Sequence, residues 1–116
     1  MLEGTARLIA KALARQAKEG SRTTYELVAK EIGWGHPTGR GLGVHLYEVM
    51  HYCKTMSLPP LTLIVVKKGT KTPSPEAAPH ISLALGAVDI EAKQKEVFAF
   101  DWSRIQEFES PSAQLP

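Results

Sequence analysis

A lone cysteine, Cys53, leaves this chain of 116 residues without a partner for an intrachain disulfide and without a cysteine-rich zinc site. A single thiol also suits a reducing cytoplasm. Long apolar runs are missing too, since nothing approaches the roughly 18 residues needed to cross a bilayer. Met1 to Gly20 is too charged for a signal peptide, so a cytoplasmic chain with no membrane partner is expected. A strong charge of either sign is absent. The 14 Lys and Arg stand against 12 Asp and Glu, for a net +2, so nucleic-acid binding would depend on clustering rather than on total charge. Catalytic patterns are equally scarce. No Ser-His-Asp or paired-carboxylate arrangement stands out, and Gly33-Trp34-Gly35 follows no strand, as a dinucleotide fingerprint would require. His45, His51 and Cys53 diverge around a helix and do not converge on a metal. A noncatalytic protein without cofactor or metal is expected.

What is present is an ordinary globular composition, 43% hydrophobic and 22% charged, of a size for one modest core. The spacing predicts a single domain over residues 1–109 and a disordered tail over 110–116. Ala6, Ile9, Leu13 and Ala17 fall on one face of a helix over 3–19. Arg7, Lys11, Arg15 and Lys18 form a basic stripe beside it, which reads either as a solvated face or as a phosphate-facing one. Thr23 or Thr24 caps a short helix over 24–32, with Glu26 placed for a capping box, Leu27, Val28 and Ile32 as its buried edge, and Gly33 as its stop. Trp34 then lies in a glycine-bracketed turn as a lid over the core.

A longer helix is predicted over 39–56. Leu42, Leu46, Val49, Cys53 and Met56 form its core seam, and Arg40, Val44, Tyr47 and His51 lie opposite. Gly39, Gly41 and Gly43 in its first turn imply a close neighbour there, either another helix or a phosphate. Pro59-Pro60 ends the helix, and Leu61 to Val66 reads as a buried strand. Lys67-Lys68-Gly69-Thr70-Lys71 makes a basic turn, followed by a mobile Pro73–Pro79 loop. Ile81 to Leu85 fits strand or helix, and Asp89 to Glu96 has helical charge spacing. Val97 to Trp102 reads as a strand antiparallel to Leu61–Val66, and Ser103 to Phe108 as a last helical turn. The expected fold is α+β, a winged helix-turn-helix of three N-terminal helices and a small antiparallel hairpin or sheet.

The stretch Thr23-Thr24-Tyr25-Glu26-Leu27-Val28-Ala29-Lys30-Glu31-Ile32-Gly33, then Gly39-Arg40-Gly41-Leu42-Gly43, then Leu58-Pro59-Pro60 before Ile64-Val65-Val66, resembles the DNA-binding domain of the alkyltransferases. These are the O6-alkylguanine-DNA alkyltransferases and the catalytically dead alkyltransferase-like proteins. The resemblance covers roughly Ser21 to Lys68. It implies a duplex-DNA surface with Tyr25 pressing on the backbone and Arg40 in the recognition helix. Leu61-Thr62-Leu63-Ile64 replaces the family's Pro-Cys-His-Arg, so the alkyl-accepting cysteine is missing. About His36 stands where the family places its intercalating arginine. The whole pattern is also similar to small uncharacterised bacterial and phage proteins with the same Leu-Pro-Pro-Leu and Phe-Asp-Trp features.

Three functions follow as expectations. The first is duplex-DNA binding through Tyr25, His36, Thr38, Arg40, Tyr47, His51, Lys67, Lys68 and Lys71. The second is a phage- or plasmid-type adaptor binding another protein, such as a host defence protein. The third is a pocket for a nucleotide-like ligand built from Trp34, His36, Arg40 and Tyr47. An oligomer is compatible with each.

Overall fold

A computed structural model describes residues 2–105. It contains α1 (Gly4–Lys18), β1 (Thr23–Thr24), α2 (Tyr25–Ile32), α3 (Gly43–Thr55), β2 (Val65–Val66), α4 (Ala78–Leu85) and α5 (Ile90–Ala99), with short 3-10 turns at Leu61–Ile64, Pro75–Ala77 and Trp102–Arg104. The expected disordered tail and most of the expected Ser103–Phe108 turn lie outside the described residues.

The apolar stripe of α1 makes it the centre of the molecule. Ala6, Ile9, Ala10, Leu13 and Ala17 are buried against α2, α3 and the Leu61–Ile64 turn. Thr24 caps α2, its hydroxyl accepting from the Leu27 amide at 3.2 Å. Val28 and Ala29 form the buried edge of α2, whereas Leu27, expected there, is 56% exposed. Leu46, Val49 and Cys53 line the inner face of α3 as predicted, but Met56 is 55% exposed beyond the helix end. Met50 and Leu63 join Ile81 and Ala84 in a second, smaller core under α4. Ile81 to Leu85, ambiguous in the sequence, is thus helical.

The winged antiparallel hairpin is not found among the described residues. Leu61 to Ile64 coils into a 3-10 turn, and only Val65–Val66 is extended. Those two residues pair in parallel with β1, Thr23 opposite Val65 and Thr24 opposite Val66. The expected partner strand over 96–101 is instead the end of α5 and its exit, Asp89 capping that helix through a 3.1 Å bond from the Ala92 amide. The difference has one physical origin. All six residues from Leu61 to Val66 are buried, and a short apolar run buried on every side has no exposed face from which a period can be read. Val97 is likewise buried because it follows Gln94 by three residues on the inner face of α5. The domain is a helical bundle clasped by a two-residue parallel bridge, and a winged helix-turn-helix is the wrong description.

Cys53 sits on the buried seam of α3, where loss of solvent pushes its thiol up from 9.0 to about 11. A disulfide reagent at neutral pH should therefore label the native protein no faster than it unfolds, and reaction on mixing would contradict this placement. Because the folded thiol titrates above its unfolded value, its contribution to stability is complete below pH 9.0 and is lost as pH rises toward about 11.

Candidate nucleic-acid interface

Tyr25 is the residue around which the candidate site is assembled. The parallel bridge sets Thr24 against Val66, so the first residue of α2 emerges beside Lys67, the first residue of the basic loop. The Tyr25 hydroxyl accepts a 3.0 Å bond from the Ser74 amide at the far end of that loop. On its other side the Tyr25 main chain presses on Gly39, where an added Cβ would lie 2.9 Å from the Tyr25 carbonyl oxygen. Tyr25, Gly43, Leu46, Tyr47, Met50 and His80 line a narrow cleft of about 160 Å³ at the start of α3.

The turn before α3 accounts for its glycines. Gly39 and Gly41 have φ of 83° and 90°, a left-handed backbone that side chains disfavour, and both precede the helix rather than belong to it. The close neighbour at Gly39 is Tyr25; at Gly41 it is the Trp34 ring, 3.4 Å from a built Cβ. A Cβ at Gly43 would meet nothing within 4 Å among the described residues. Internal packing, not a phosphate, explains the first two. Trp34 is folded inward, its indole N–H donating to the Arg40 carbonyl at 2.7 Å and its ring edge-on to His45 at 5.5 Å. This leaves the side chains of His36, Thr38 and Arg40 exposed on the outside of the turn.

The basic loop is held equally firmly. The Lys67 amide donates to the Thr72 carbonyl at 2.9 Å, and the Thr70 amide and hydroxyl donate to the Lys67 carbonyl at 2.9 and 2.8 Å. From below, fully buried Gln94 donates to the Leu63 carbonyl at 2.8 Å and the Lys71 carbonyl at 2.9 Å, and accepts from the Arg22 Nε at 2.9 Å. Lys67, Lys68 and Lys71 all remain exposed. The loop is a rigid basic knob without the hairpin expected of a wing.

Tyr47 is half-buried in the cleft wall, stacked on His51 at 6.4 Å and tilted against His80 at 5.2 Å. Tyr25 and Tyr47 are thus brought into one cleft, His51 joins them through Tyr47, and the Arg40 turn and the Lys67 loop flank Tyr25. His36, Thr38, Lys68 and Lys71 are exposed nearby in sequence but do not line the cleft. Glu76 does, its carboxyl held below the ordinary range by its own amide and the Ser74 hydroxyl. Glu76, His80 and Gln94 carry no sequence signal, since they reach the site only through the packing of the Pro75–Ala77 turn, α4 and α5 respectively. The basic stripe of α1 is partly consumed, Arg15 pairing with Glu31 of α2. Thr62 is buried, its hydroxyl unpartnered among the described residues.

No family model, curated protein or solved structure matches the chain. Among the described residues no helix is long and apolar enough to cross a membrane.

Proposed function

We propose that this chain is a noncatalytic, cytoplasmic duplex-DNA-binding protein of the alkyltransferase-like kind, gripping the duplex around the start of α3. The observation that carries the reading is the position of Tyr25, which joins the Arg40 turn to the Lys67–Lys71 knob through Gly39 on one side and the Thr24–Val66 bridge on the other. Two separate sources of positive charge, far apart in sequence, are thereby set on rigid backbone beside the exposed edge of α3. That edge offers Val44, Tyr47, Glu48 and His51 to a groove. Arginine and lysine supply phosphate contacts, and the helix edge supplies any base contacts.

A nucleotide-like ligand fits less well, because the Trp34 indole N–H is committed to the Arg40 carbonyl and its ring already packs edge-on with His45. The test is duplex affinity at two salt concentrations. Arg40→Ala should weaken binding by about 1–3 kcal/mol. Replacing Lys67 and Lys68 by alanine should weaken binding to all sequences alike and reduce the salt slope by about 0.9 for each phosphate no longer neutralised. Absence of duplex affinity at low salt ends this reading and leaves the same surface to a protein partner.

A further inference from the structure

A second cavity, of about 380 Å³, opens between the Thr72–Pro75 segment, one face of α4 and the Gly86–Ile90 turn. It meets the Tyr25 cleft at Ser74. Its floor is apolar. Ile81 belongs to the second core, and Val88 and Ile90 pack against it. Backbone conformation shapes the far wall, since Gly86 takes φ 74° and ψ −158°, a region open essentially to glycine alone, and turns the chain back from α4. The cavity therefore does not depend on the rotamer of one side chain. Its volume falls in the range of about 300–1,000 Å³ typical of small-ligand sites. Among the described residues Lys67 is the only charged one lining it, and Ser82 adds an exposed hydroxyl. Glu76, whose carboxyl feels the Lys67 ammonium, faces the Tyr25 cleft instead.

We propose that this cavity binds a small apolar monoanion, an aryl- or alkyl-carboxylate whose body lies on Ile81, Val88 and Ile90 and whose carboxylate meets Lys67 and Ser82. An apolar body burying its surface supplies the affinity, and the lysine selects the sign of the head group. The site stands whether or not the chain binds DNA.

Phenylbutyrate is a suitable probe, with phenylbutanol and phenylbutylamine as neutral and cationic counterparts, followed by amide chemical-shift mapping on the full chain. Shifts are expected at Lys67, Ser82 and Gly86 to Ile90, with affinity in the order acid, alcohol, amine. Lys67→Met should weaken the acid by about threefold, the worth of an exposed ion pair, while leaving the alcohol unchanged. Ser82→Trp, a change at an exposed helical position, should fill the cavity and abolish binding of both. Shifts centred on Tyr25 and Tyr47, amine binding equal to acid binding, or acid binding that survives Ser82→Trp would each overturn the assignment.

Discussion

Gln94→Leu is expected to lower the unfolding free energy by about 3 kcal/mol and to weaken duplex binding in the same variant. The leucine has similar bulk, so no cavity explains the loss. What disappears is a two-way connection: the buried amide donates to the Leu63 and Lys71 carbonyls and accepts from Arg22. An unsatisfied buried acceptor costs about 1–3 kcal/mol, and the substitution strands the buried Leu63 carbonyl together with the part-buried Lys71 carbonyl at the base of the knob. Urea unfolding measures the stability change. A difference under about 1 kcal/mol would mean that water replaces the amide and that Gln94 is not the anchor. Duplex binding at a temperature where the variant is still folded measures the second effect. The lysines would all be present, but the loop carrying them would be released from Gln94.

Gly39→Ala should cost about 2–4 kcal/mol, from two additive causes. A side chain in the left-handed region is strained, and here the new methyl would also collide with Tyr25. The built Cβ lies 2.9 Å from both the Tyr25 Cβ and its carbonyl oxygen, which are main-chain-fixed atoms with no flexible end to move aside. Gly33→Ala is the natural control, because its φ of 73° imposes similar backbone strain while its Cβ would meet nothing within 4 Å among the described residues. Comparable losses in the two variants, measured by thermal or urea unfolding, would show that the Tyr25 contact has slack. A clearly greater loss at Gly39 would establish the close approach that sets the Arg40 turn against α2.

Helices whose faces alternate between core and solvent were legible from the residues alone. In α1 the spacing of Ala6, Ile9, Leu13 and Ala17 marks the buried side, and in α3 Leu46, Val49 and Cys53 do the same. A threonine cap and the burial of Cys53 were legible for the same local reason, since each depends on residues within a turn or two; the choice between Thr23 and Thr24 was not, and the structure makes it Thr24. Of the residues that gather at the cleft, Tyr47 was visible on the side of α3 opposite its seam, whereas Tyr25 was singled out only by the resemblance to the alkyltransferases.

Long-range packing settled the remainder. Leu61 to Val66 and Val97 to Trp102 look like strands because they are apolar and rich in β-branched or aromatic residues. The first became a 3-10 turn with a two-residue parallel strand, buried throughout, and the second the end of a helix and its exit, with only Val97 and Trp102 buried. The glycines implied either a neighbouring helix or a phosphate, and the packing supplies the first: Gly39 accommodates Tyr25 at the start of α2, and Gly41 the Trp34 ring. Gln94 lies in a stretch that showed only helical charge spacing, and its burial follows from the packing of α5 beneath the basic knob. Local pattern reports which face of an element avoids water. It does not report which distant segment supplies the covering surface, because that depends on contacts between residues far apart in sequence.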